Sequence, residues 1–143
     1  MRVAILSKAL VVGAYQTKLQ EIAALGDLDL VAIVPPAWRD RARYQRLERL
    51  PNPHFRLLTT PIACNGRFHW HWYPRLPRLL ADLRPDLLHI DEEPYNLATY
   101  LALRAARRVG ARTLFFSWQN IRRDYPLPFR LMERYCYTHA DAA

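Results

Sequence analysis

Apolar residues along this chain fall in short continuous runs, separated by segments whose apolar positions recur every three or four residues. Residues 2–7 (Arg-Val-Ala-Ile-Leu-Ser) form one run and residues 28–34 (Leu-Asp-Leu-Val-Ala-Ile-Val) another. Such runs mark strands covered on both faces, as parallel strands are. Between them, 15–25 places Leu19, Ile22 and Ala23 on one helical face, and Gly26 is a natural stop just past it. The unit spans about 34 residues, the size of a strand–helix–strand element. Pro35 and Pro36 end its second strand.

Residues 37–53 interrupt the pattern. They read as an irregular basic stretch with room for a short helix, holding Arg39, Arg41, Arg43, Arg46 and Arg49. A third strand is expected over 55–59. Residues 61–73 read as a loop or hairpin in which Phe68, Trp70, Trp72 and Tyr73 interleave with His69 and His71. A short helix over 76–83 stops at Arg84-Pro85. The pattern then becomes cleaner: a strand over 86–91, a loop over 92–96, a helix over 97–109 stopped by Gly110, a strand over 112–117, a polar and aromatic loop over 118–128, and a last helix over 129–139. Strands alternating with helices at this spacing specify an α/β fold with a mostly parallel sheet flanked by helices, and right-handed crossovers. The 143 residues fit one domain.

In such sheets ligands sit at the carboxyl ends of the strands. That selects three loops: 8–14, 91–96 and 118–125. In the first, Lys8 stands beside an apolar strand end and Gly13 opens toward a helix whose free amides would attract an anion. The loop matches neither the dinucleotide fingerprint nor a P-loop. The second holds Asp91, Glu92 and Glu93 in a row, then Pro94, Tyr95 and Asn96. Adjacent carboxylates repel one another, which raises pKa values and suits general-base or hydroxyl-binding work. Asn96 also stands where it could cap the following helix. The third offers the amides of Gln119 and Asn120, with Arg122 and Arg123 behind them.

Composition narrows the picture. With 21 Lys and Arg against 13 Asp and Glu, the formal charge is +8, and only Lys8 and Lys18 are lysines. Arginine forks suit phosphate, so nucleic acid, an anionic membrane surface and phosphorylated substrates all enter as partner classes. No stretch approaches the roughly 20 apolar residues of a membrane span. The start mimics a signal peptide, with Arg2, an apolar stretch and Val12-Gly13-Ala14, but Lys8 interrupts the stretch. Cys64 and Cys136 lack C-x-x-C spacing and read as buried, reduced thiols, the habit of a cytoplasmic protein. His69 and His71, one residue apart in a strand, would point to one face, yet a metal there lacks a third ligand. No metal site is therefore expected. No Gly-x-Ser-x-Gly elbow is present.

Five segments together resemble a known family: the opening strand with Lys8; Ile33-Val34-Pro35-Pro36; 84–96, Arg-Pro-Asp-Leu-Leu-His-Ile-Asp-Glu-Glu-Pro-Tyr-Asn; 110–120, Gly-Ala-Arg-Thr-Leu-Phe-Phe-Ser-Trp-Gln-Asn; and 135–143, which looks like a last helix leading into a closing strand. In these the chain resembles the N-terminal half of a GT-B glycosyltransferase of the family 4 type. The resemblance covers essentially all of it, and 89–96 is its most specific part. It implies a Rossmann-like domain over 1–143 that binds the acceptor and faces a second, donor-binding domain across a cleft. It further implies retaining transfer of a sugar from a nucleotide-sugar donor to a glycan or lipid-linked acceptor, without a metal ion, at the cytoplasmic side of a membrane, with an anionic membrane surface as a further partner and nucleic acid as none. The donor domain's paired glutamates do not occur here, so the chain looks like one half and is not expected to catalyse transfer by itself.

On this resemblance Lys8 and Gly13 lie beside the donor phosphates, and Tyr95, Asn96, Gln119 and Asn120 line the acceptor side. Many members place a histidine after the strand equivalent to 113–117; here Trp118, Gln119 and Asn120 stand there, and that role is not carried over. Glu92 and Glu93 are the expected catalytic carboxylates. The rival readings are a sugar-nucleotide epimerase of the same architecture, a non-catalytic basic module for a membrane surface or nucleic acid, and a non-catalytic α/β interaction domain.

Overall fold

The computed structural model describes residues 1–41, 43–118 and 124–143. Strand β1 (Arg2–Leu6) leads through a single 3-10 turn, Ala9–Val11, into helix α1 (Gly13–Ala24). Strand β2 (Asp29–Val34) follows. Next come β3 (Ala37–Asp40), β4 (Arg43–Arg46), β5 (Arg56–Thr59) and α2 (Leu76–Leu83). The chain continues with β6 (Leu87–Ile90), α3 (Leu97–Arg108), β7 (Arg112–Phe115) and α4 (Phe129–His139). The expected helix stops hold: Gly26 and Gly110 take φ of 76° and 74° just past α1 and α3, a conformation glycine adopts without steric cost.

Five strands form one sheet in the order β5-β2-β1-β6-β7, every neighbouring pair parallel. This is the α/β architecture expected, and its order is that of a Rossmann-like sheet growing in two directions from β1. Alternate residues of the strands feed two cores. Ala4, Leu6, Val31, Ile33, Leu88 and Ile90 pack against Leu80 of α2 and Ala102 and Leu103 of α3. Val3, Ile5, Leu30, Ala32 and Val34 face the other way, against Leu10, Leu19 and Trp38. Burial on both faces is why these strands read as continuous apolar runs. Beyond β7, Leu114 makes a parallel bridge to Ala142.

One segment departs from expectation. The basic stretch after β2 holds no helix: β3 and β4 form an antiparallel two-stranded ribbon, with Trp38 opposite Gln45 and Arg39 opposite Tyr44. Only Ala37 and Trp38, at its base, are buried. The two cysteines also differ from one another. Cys136 is buried in the α3–α4 core, where burial and the nearby Glu133 push its thiol up to about 12. Cys64 is exposed, because it begins the turn in which Arg67 N–H bonds its carbonyl at 2.9 Å. No helix among the described residues is long and apolar enough to cross a membrane.

Candidate functional site at the switch in strand order

The sheet changes direction between β1 and β6, so the loops leaving their carboxyl ends diverge and open a crevice. A cavity of about 600 Å³ lies there, walled by α1 on one side and by the ends of β6 and β7 on the other. Lys8, Asp91, Glu92 and Glu93 all line it, so the structure brings together the chief candidates of the first two loops. Gln119 and Asn120, the candidates of the third loop, lie outside the described residues, as do Arg122 and Arg123.

The three consecutive acids do not face one another. Each turns to a different neighbour. Asp91 reaches back to β1, accepting from Ser7 Oγ at 2.9 Å, and lies 3.4 Å from Lys18 Nζ. Glu93 reaches toward β7, accepting from Ser117 Oγ at 2.7 Å and from the Trp118 amide at 3.0 Å. Glu92 turns down into the protein, where its side chain is fully buried. There it accepts from the Lys8 amide at 3.2 Å and the Tyr73 hydroxyl at 3.1 Å, and pairs with the Lys8 ammonium. His71 Nε2 stands 3.4 Å from the same carboxylate.

For Glu92 the expectation that neighbouring carboxylates raise its pKa is corrected. Burial pushes Glu92 up, but the charge of Lys8 and the contact with His71 outweigh it and hold the group down at about 2. The same carboxylate, after burial, drives the Tyr73 phenol well above its ordinary range. Lys8 thus has the partner its place beside an apolar strand requires, and its ammonium also lies 4.8 Å from the Phe68 ring centre and 5.4 Å from that of Trp38.

The remaining candidates are placed as follows. Gly13 opens α1, but its amide already donates to Glu48 Oε2 at 2.7 Å, and a Cβ on Gly13 would come within 3.0 Å of that oxygen. The anion position expected at this helix start is therefore filled by a carboxylate of the chain itself. Asn96 occupies the position before α3 yet makes no side-chain cap. The first amide of that helix goes instead to the His69 carbonyl at 3.0 Å, which leaves Asn96 Oδ1 3.3 Å from His69 Nδ1, buried. Tyr95 is buried and stacks on Tyr125 with ring centres 4.2 Å apart. Neither residue faces the cavity as an open ligand-binding group.

His69 and His71 do not share a face. They lie in a turn, not a strand, where Trp70 and His71 both donate their amides to the Arg67 carbonyl. His71 is buried, with Nδ1 2.8 Å from the Phe68 carbonyl, and His69 points to Asn96. Sequence reasoning missed His71, Tyr73 and Ser7 as members of the site. The one signal for the first two was their spacing of two residues within the aromatic run.

Chemically, the crevice presents Asp91 and Glu93 near its surface, Lys18 at its edge, and a neutralised Lys8–Glu92 pair in its floor. Exposed aromatic rings surround it: Trp118 is 78% accessible, Tyr15 56%, Phe116 45% and Phe68 44%. Carboxylates that accept hydroxyl protons, beside rings that present flat apolar faces, suit a polyhydroxylated ligand. Fold and site together define a Rossmann-like α/β domain with an acidic, aromatic crevice at its switch point. Comparison with protein-family models, with curated proteins and with solved structures finds no match. The fold is therefore the level at which the chain is placed.

Proposed function

We propose that this chain is the acceptor-binding domain of a GT-B-type glycosyltransferase, which transfers a sugar from a nucleotide-sugar donor to a glycan or lipid-linked acceptor. The observation that carries the reading is the switch-point crevice, where two carboxylates and several exposed aromatic rings surround one cavity. In this reading Glu93 contacts an acceptor hydroxyl. Among the described residues each of its oxygens has one protein donor, and a carboxylate accepts about four hydrogen bonds. Glu92 is a positioning residue that fixes Lys8 and the turn carrying Glu93. The donor phosphates need cations other than Lys8, whose charge Glu92 already meets.

The test is a titration of the isotope-labelled chain with a panel of neutral oligosaccharides, followed by amide chemical shifts. Perturbations at Lys8, Glu93 and Trp118 are expected, and Glu93→Gln is expected to weaken binding about tenfold, the worth of one hydrogen bond to a charged group. Shifts that avoid these residues for every sugar, or that are unchanged by Glu93→Gln, overturn the reading.

A further inference from the structure

Of the charged groups lining the crevice, Glu93 alone lacks a counter-charge among the described residues. Lys8 pairs with Glu92 in the floor, and Lys18 Nζ lies 3.4 Å from Asp91 at the edge. Glu93 is half-buried, and among the described residues no cation stands within ion-pair distance of it. Its donors, the Ser117 hydroxyl and the Trp118 amide, are neutral. A carboxylate drawn partly out of water without a counter-charge is costly, and a ligand cation relieves that cost. The stretch that holds Glu93 also carries two aromatic rings. Phe116 and Trp118 flank Ser117 in the chain, both line the cavity, and their rings meet edge to face, with centres 5.2 Å apart and planes at 87°. Both rings are exposed, and the face of an aromatic ring attracts a cation. The Phe68 ring already has the Lys8 ammonium at 4.8 Å, so a second cation belongs at the Phe116–Trp118 end.

From this we infer that the ligand of the crevice carries a primary ammonium beside its hydroxyls, and that the acceptor is an amino sugar with a free amine. This substrate class rests on the sugar-acceptor reading and makes it more specific. An ammonium brings N–H donors to Glu93 in a charge-assisted bond, and positive charge to the rings of Phe116 and Trp118. A quaternary ammonium offers the rings a charge but gives Glu93 no donor. A metal ion needs several ligating side chains, and among the described residues no group of three His, Cys, Asp or Glu is placed to hold one. The formal charge of +8 repels cations from the chain at large, so an amine that binds does so through a local site.

The experiment compares disaccharides that share one backbone and differ at carbon 2: cellobiose with its hydroxyls, the glucosamine disaccharide with free amines, and the N-acetylated form of the latter. Each is titrated into the isotope-labelled native chain, Glu93→Gln and Trp118→Ala at about pH 6, where the amine is protonated. The native chain is expected to bind the amine form about tenfold more tightly than cellobiose, and acetylation, which removes the charge, is expected to abolish the gain. Glu93→Gln is expected to reduce the preference to less than about threefold, and Trp118→Ala to weaken binding of the amine form about fivefold. Trp118 is on the surface, so its variant tests binding without loading the fold. Equal binding of cellobiose and the amine form, or a preference that survives Glu93→Gln, overturns the amine assignment and leaves the sugar reading standing. Butylammonium binding as tightly as the amine form overturns the sugar as carrier of the amine. Absence of binding by all of the disaccharides overturns both.

Discussion

Replacing Glu92 by Gln asks whether the ion pair under the crevice holds it together. The carboxylate is buried and receives Lys8 twice and Tyr73 once, with His71 beside it. Its pKa falls from the ordinary 4.5 to about 2 despite the burial that opposes this. At about 1.4 kcal/mol per pKa unit, the ionised form stabilises the fold by roughly 3 kcal/mol. Because the folded value is depressed, that stabilisation is complete above about pH 4.5 and is lost as pH falls toward about 2. Glu92→Gln leaves the Lys8 ammonium, on a side chain only 12% accessible, opposite a neutral amide. Breaking a buried pair in this way costs about 3–5 kcal/mol, a large share of the roughly 5–15 kcal/mol that holds a domain of this size. The assay is urea unfolding followed by circular dichroism at pH 7 and at pH 3, for the native chain, Glu92→Gln, Lys8→Met and the double variant. The expected results are a loss of about 3 kcal/mol at pH 7 for Glu92→Gln, a smaller difference from native at pH 3, and a double variant less damaged than the sum of its parts. A cost under about 1 kcal/mol at pH 7, or strict additivity, refutes the coupling.

Two further variants probe the supports of the crevice. Gly13→Ala brings a Cβ to 3.0 Å from Glu48 Oε2 and displaces the carboxylate that receives the first amide of α1, so melting is expected to show a loss of about 1 kcal/mol that largely vanishes in a Glu48→Ala background. Leu103→Ala, at a fully buried position of α3, is expected to cost about 2–5 kcal/mol in urea unfolding.

What the sequence makes legible here follows from where each signal is local. The strands at 2–6 and 29–34 are readable because most residues on both faces are apolar, and Gly26 and Gly110 announce the helix ends through their own backbone needs. The β3–β4 ribbon is not readable. It buries side chains only at its base, so the alternation that would mark a strand fades after Trp38 into exposed arginines. The acidic run is visible as three letters in a row at a strand end, and the rule that ligands meet the carboxyl edge of the sheet puts it at the crevice. Its division of labour is not visible. Glu92 owes its burial to His71 and Tyr73, which arrive from a different loop, and Gly13 loses its free amide to Glu48, which belongs to the segment after the ribbon. Both are pairings between residues far apart in the chain, and no local pattern encodes them.

These long-range pairings also change what the net charge means. A formal charge of +8 and a lysine beside the first helix point, on composition alone, to a crevice built for phosphate. Yet the Lys8 charge is met by Glu92 and the helix-start amide by Glu48, so two of the anion-attracting features closest to β1 are already satisfied within the chain. What the crevice offers a ligand is Asp91 and Glu93, tempered by Lys18 at its edge. Exposed arginines without an ion pair among the described residues lie outside the crevice, on the ribbon beyond β2 (Arg39, Arg43, Arg46) and on α3 (Arg104, Arg107, Arg108). The chain is therefore basic where it meets its surroundings and acidic where it encloses space. A ligand inside the crevice gains most from hydroxyl groups and apolar ring faces, and a phosphate gains most outside it.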